Sequence, residues 1–288
     1  MKRINLLLGF YVIFHAALYG QGSGKAINFG AGTNAQNFSV KLPATFPKLG
    51  NVPANSAFTI TAWFYTTNNA QTAQRIFEDD QNKTVGWGFS VGDPGTGAIR
   101  FFSRGTSAGA NLLEANTANN VIASNTWYYL AAVIVPGNSF KIYVNGVLEA
   151  TTVDSRGSTF GNDGSQADFG GEVSTSAEAG NGYFIHGYED EVIVWKVAFT
   201  QAQLQAAMCL KQAVPNANIT AYWNMDGAVT GANGVPDLSG NGYNGTMAVA
   251  MTNGDVITSG ASIGDASTQL YSPGTWAGQT LTLPAAAN

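Results

Sequence analysis

Residues 183–204 read YFIHGYEDEVIVWKVAFTQAQL, and this stretch decides the fold. It opens with a turn at Gly187 and an acidic triplet, Glu189, Asp190 and Glu191. An alternating apolar strand follows, which puts Val192 and Val194 on one face and Ile193 and Trp195 on the other. Then comes a helix start, because Thr200 and Gln203 have the spacing of a capping box. The predicted helix runs over about Thr200–Lys211 and contains the single cysteine, Cys209. Strict alternation carries Glu189 and Glu191 to one face of the strand.

Upstream, strand signals recur every 8–12 residues. FTITAWFY at Phe58–Tyr65 sorts Phe58, Ile60, Ala62 and Phe64 from Thr59, Thr61, Trp63 and Tyr65. WYYLAAVIV at Trp127–Val135 is apolar on both faces, as expected of a central strand covered on both sides. FKIYV returns at Phe140–Val144, and Asn145–Gly146 marks a two-residue hairpin. Residues 154–182 are rich in Gly, Ser, Asp and Asn and read as a long loop with at most one short strand. Many strands and one late helix predict an all-β, antiparallel two-sheet sandwich.

Composition narrows the function. Charged residues make up 11% of the 288, glycines number 35, and the net charge is −5. No Lys/Arg cluster accompanies that charge, which argues against a nucleic-acid or anionic-membrane partner. Residues 1–20 have the layout of a secretory signal peptide: Lys2 and Arg3, an apolar run from Ile4 to Leu18, then small residues. The mature chain is therefore expected to be secreted or at the cell surface, without membrane insertion. One cysteine cannot make an internal disulfide, so Cys209 is expected to be a buried small side chain.

The ordered set AINFG, FTITAWFYTT, WYYLAAVIV, KIYVNG and GYEDEVIVW plus helix resembles the laminin G-like, or concanavalin A-like, jelly-roll domain of bacterial secreted proteins. The likeness spans about Lys25–Lys211. It implies a jelly-roll sandwich with one short helix and a non-catalytic module that binds a glycan or an extracellular surface protein. A ligand-free spacer is the alternative. AYWNMD and DLSGNGYNGT (Ala221–Thr246) also resemble this family, where they often open a domain. Here they either complete the same sandwich or begin another module. The expected division is a signal peptide at 1–20, the jelly roll at 21–248, and a further β module or linker at 249–288. The segment Ser262–Ser267 resembles the start of a module in surface proteins of Bacteroidetes-type bacteria, which implies a larger multidomain protein.

The resemblance also implies a structural calcium held by Asp190 and the carbonyl of Gly30, with Asn28, Asn34 or Asn37 as further oxygen donors; calcium favours such oxygen ligands. The alternative role for Asp190 is to bond nearby turn amides. Trp87 and Tyr188, with Tyr183, are candidate sugar-stacking rings at a rim, whereas Trp63, Trp127 and Trp195 belong to strand patterns that predict core positions. β-Glucanases share this sandwich, but their E-x-D-x-x-E pattern is matched neither by Glu78-Asp79-Asp80 nor by Glu189-Asp190-Glu191. Retaining hydrolysis needs two carboxylates about 5–5.5 Å apart, so a glycosidase is disfavoured. His186 has no serine elbow or zinc partners and reads as a turn or sheet residue.

Overall fold

The protein is described by a computed structural model covering residues 24–30, 38–50, 56–79, 85–105, 112–156, 160, 167–172, 183–263, 275–277 and 280–282. Residues 1–20, read above as a signal peptide, together with Asn34, Asn37, Asp80 and about half of the segment 249–288, lie outside these residues. The early strands are β1 (Lys25–Asn28), β2 (Val40–Lys41), β3 (Phe58–Thr66), β4 (Gln74–Asp79), β5 (Trp87–Val91), β6 (Ile99–Ser103) and β7 (Leu113–Asn116). Then come β8 (Trp127–Val135), β9 (Ser139–Val144), β10 (Val147–Val153), β11 (Asp168–Phe169) and β12 (Gly187–Trp195). Helix α1 (Gln201–Ala207) precedes β13 (Ile219–Trp223), β14 (Thr246–Met247) and β15 (Val256–Thr258).

These strands form two antiparallel sheets. The first has the order β10-β9-β8-β3-β12-β1-β15, with β13 also paired to β12; the second is β14-β2-β11-β4-β5-β6-β7. The core lies between them. Phe58, Ile60, Ala62 and Phe64 of β3 pack inward, together with Tyr128, Leu130, Ala132 and Ile134 of β8. They meet Phe77, Trp87, Phe89 and Phe101 from the second sheet. Each fully buried large apolar side chain contributes roughly 1.5–3 kcal/mol, so this aromatic layer dominates the stability.

Part of the outer face of the first sheet is buried too. Trp63, Tyr129, Ala131 and Val133 are covered by Leu204 and Met208 of the helical segment and by Ala261 and Ile263. That second cover explains why β8 is apolar on both sides. The β9–β10 hairpin turns at Asn145 (φ 50°) and Gly146 (φ 73°), the left-handed pair that a two-residue turn demands.

Two expectations are corrected. The helix ends at Ala207 rather than Lys211, so buried Cys209 lies beyond it, packed in the outer cluster. The boundary at residue 248 also moves. β15 pairs with β1 and residues 261–263 reach the outer cluster, so the segment through Ile263 belongs to the sandwich.

Candidate functional site

The acidic triplet sits where β12 departs from regular pairing. Glu189 pairs with Phe64 of β3 and Ile27 of β1, both core residues, so its side chain enters the sandwich interior. Asp190 pairs with Trp63 on the outer face. The register then slips by one residue before Ile193, and Glu191 takes a left-handed φ of 51°. This β-bulge breaks the alternation that predicts a shared face for Glu189 and Glu191. Glu191 bonds the hydroxyl of Tyr222, on the face opposite Glu189. Carboxylates on opposite faces of a sheet cannot flank one glycosidic bond.

All three acids are buried. Burial, and then the Asp190 charge, push the Glu189 carboxyl well above the ordinary carboxylate range. Burial does the same to Glu191, helped by Asp190 and opposed by the Tyr222 hydrogen bond. Among the described residues neither oxygen of Glu189 has a hydrogen-bond partner. One Asp190 carboxylate oxygen accepts the backbone N–H of Glu191 at 2.7 Å, which is the turn-amide role.

The proposed calcium pair does not converge. Gly30 donates its N–H to the Gly187 carbonyl at 3.2 Å, and Asp190 lies three residues further along β12. At about 3.3 Å per residue, the two are roughly 10 Å apart. Asn28 is likewise engaged, accepting the Gly30 N–H at 2.8 Å. Among the described residues no group of three or more His, Cys, Asp or Glu is arranged to hold a metal ion. Asp190 and Gly30 therefore do not fit one ion.

Trp87 is also corrected. It has 0% exposure and its ring stacks on Phe77, with centroids 5.8 Å apart and planes 5° apart. Its partner strand β6 contributes Phe101, also stacked on it at 5.9 Å. A ring sealed in the core cannot take a ligand. Tyr183 lies elsewhere, under the Arg75 guanidinium at 5.0 Å. His186 stacks on Phe184 at 4.6 Å, and burial lowers its pKa.

Tyr188 is different. Cross-strand pairing aligns Asn28, Tyr188, Tyr65 and Trp127 on four neighbouring strands, β1, β12, β3 and β8. Tyr65 and Tyr188 stack at 4.9 Å with planes 16° apart. Trp127 lies 5.6 Å from Tyr65 and 6.1 Å from Tyr188. All three rings are half-buried. They occupy the outer face of the first sheet, next to the part covered by the helical segment. Gly260 abuts the Trp127 indole: a Cβ there would come within 2.9 Å of its Nε1. The Tyr65 hydroxyl donates to the Asn125 amide oxygen at 3.2 Å, which fixes the edge of the platform. Tyr65 and Trp127 were not singled out as ligand rings from sequence. Their signal was the i, i+2 alternation with Trp63 and Tyr129, which reads equally well as core.

The sandwich and this face can be set beside known proteins. The family model described as concanavalin A-like lectin/glucanases superfamily, Laminin_G_3, matches residues 34–205. No curated protein matches the sequence. Among solved structures, a Bacteroides ovatus protein described provisionally as carbohydrate binding aligns with TM-score 0.61 and 21% identity, over 84% of this chain and 62% of that one. A CBM40 module of a Ruminococcus gnavus sialidase, bound to α2,3-sialyllactose, aligns with TM-score 0.46 and 16% identity, over 64% of this chain and 97% of that one. A Limulus polyphemus pentraxin aligns with TM-score 0.44 and 18% identity, over 65% and 83%. The chain thus spans less than two thirds of the Bacteroides ovatus protein, and at such identities the likeness speaks for the fold alone. The match covers more than half of the chain and ends within α1, and on it the chain belongs to the concanavalin A-like lectin/glucanases superfamily.

Proposed function

We propose that the chain is a non-catalytic carbohydrate-recognition module of an exported surface protein. The observation that carries this reading is the half-buried aromatic platform of Tyr65, Tyr188 and Trp127. A pyranose ring presents an apolar C–H face that packs on aromatic rings, while its hydroxyls need nearby amides and hydroxyls. Asn28 and Asn125 supply amides beside the platform. The bulge that splits Glu189 from Glu191 supports recognition over hydrolysis. Membership of a superfamily that holds lectins as well as glucanases is compatible with this choice.

A glycan array probed with the full chain, in calcium and separately in EGTA, tests the reading. Hits are expected, and Tyr188→Ala and Trp127→Ala should each weaken them about ten-fold, equivalent to ~1.4 kcal/mol. Hits that both variants retain would displace the site from the platform. An array without hits in either condition would favour a ligand-free spacer. Release of reducing ends from any glycan would restore the enzyme reading.

A further inference from the structure

The turn DLSGNGYNGT, Asp237–Thr246, lies away from the platform, and its Leu238 and Tyr243 pack against buried clusters. Its shape is set by one carboxylate. Asp237 accepts the backbone N–H groups of Tyr222 (3.0 Å), Ser239 (2.9 Å) and Tyr243 (3.0 Å), and the Ser239 hydroxyl (2.8 Å). The Asn244 side chain accepts the Asp237 N–H in return, at 2.8 Å. Asn241 is pinned through its amide nitrogen, which donates to the Thr220 carbonyl at 2.9 Å. Its amide oxygen is left as an acceptor. The Tyr243 ring packs edge-on against Phe46, with centroids 5.3 Å apart.

Asn241 and Tyr243 line a cleft of about 320 Å³. Pro47, Leu49 and Phe58 give it apolar surface; Ser56 and Thr220 add hydroxyls. Among the described residues its one ionic group is Lys196, which is exposed and makes no ion pair with them. Among the described residues no acid lines the cleft, although the chain carries a net charge of −5. A lone lysine ammonium beside a fixed amide oxygen and an aromatic ring suits a ligand with one negative charge, hydroxyls and an apolar face.

We infer that this cleft is a second binding site and that it takes a carboxylated sugar ring, of the uronic or sialic acid kind. Lys196 meets the carboxylate, Asn241 and the cleft hydroxyls meet ring hydroxyls, and Tyr243 with Leu49 covers the C–H face. The site is independent of the platform. β3 runs from Phe58 in the cleft to Tyr65 in the platform, seven residues or about 23 Å away. One sugar cannot reach both, so a single chain would hold two separate sugars.

Calorimetric titration of the full chain at low salt, with D-glucuronic acid and with N-acetylneuraminic acid, tests the inference and tells the two acids apart. At least one is expected to bind. D-Glucose and inorganic phosphate should each bind at least ten-fold more weakly than that acid. Lys196→Met should weaken the acid at least ten-fold, and Asn241→Ala should weaken it measurably. Both positions are exposed, so circular dichroism should be unchanged in either variant. Tyr188→Ala should leave this binding intact, whatever it does to array hits. The inference is overturned if neither acid binds, if glucose or phosphate binds as well as the acid, or if Lys196→Met retains binding. Loss of acid binding in Tyr188→Ala would overturn it as well.

Discussion

Glu189 is the side chain most at odds with its surroundings. It points into the sandwich beside Ile27 and Phe64, fully buried, and neither of its oxygens has a partner among the described residues. An ionised carboxylate there loses its hydration without compensation, so the fold favours the protonated form and raises the pKa. The sign follows. A folded pKa above the unfolded one stabilises the protein fully at pH below the ordinary carboxylate range. That stability is lost as pH rises through the folded value, at up to ~1.4 kcal/mol per pH unit for one group. Glu189→Met keeps the volume and removes the charge. It should raise Tm at pH 8, equivalent to about 1–3 kcal/mol, with the gain shrinking toward pH 4. An equal gain at both pH values would show that packing, not ionisation, is responsible. The triplet itself was plain in the sequence, but its geometry was not. Alternation places Glu189 and Glu191 together, and only the left-handed turn at Glu191 separates them. A non-glycine bulge residue leaves no compositional mark. Trp87 was misread for a related reason: WGFSV alternates, but which face meets the other sheet is decided by packing across the sandwich, where Phe58 of β3 lies 5.6 Å from the Trp87 ring.

At the scale of elements, local rules served best where one residue type can do the work. The start of α1 was legible because Thr200 and Gln203 form both halves of a capping box. Its end was not. After Ala207 the chain follows tertiary demands: Met208 and Cys209 enter the outer cluster, and the Met208 carbonyl accepts the Trp63 indole N–H at 2.9 Å. No glycine or proline announces that stop. A seven-residue helix is marginal alone, and Leu204 is its one buried side chain. The cap therefore carries much of its stability, and Thr200→Ala should cost about 1 kcal/mol. Denaturant unfolding should show a lower midpoint with an unchanged slope. An unchanged midpoint would mean that packing of Leu204 and Met208 holds the helix without its cap. The β9–β10 hairpin was equally legible, since Asn145–Gly146 supplies the two left-handed residues. The platform was legible only in part. Tyr188 stands out beside a turn, whereas Tyr65 and Trp127 look like core until the limit of the outer cover is known.

Across the whole molecule, the closing contacts join segments far apart in the chain, and local pattern cannot reveal them. β1 lies between β12 and β15, with Lys25, Ala26 and Ile27 opposite Thr258, Ile257 and Val256. β15 is three residues long and half-buried at best, so its sequence carries little strand signal, and the stretch read as the start of another module. Beyond it, Ala261 and Ile263 lie over the aromatic outer face with Trp63 and Tyr129. Cutting the chain after residue 248 would strip β15 from β1, leaving β1 as an open sheet edge paired to β12 alone, and would uncover that cluster. The loss of buried Met251, Ala261 and Ile263 amounts to about 3–6 kcal/mol at the usual value per buried apolar side chain. Compared with a chain ending at residue 263, one ending at 248 should therefore melt about 6–24 °C lower. It should also expose the β1 amides to rapid hydrogen exchange, because protection follows local pairing. Equal melting temperatures for the two would return residues 249–263 to the status of a linker. If instead the shorter chain melts lower and Trp127 fluorescence changes with it, the same segment both closes the sheet and borders the platform. That outcome follows from Gly260 lying against the Trp127 indole: the strand that seals β1 leads directly into the residue that flanks the proposed sugar-binding ring.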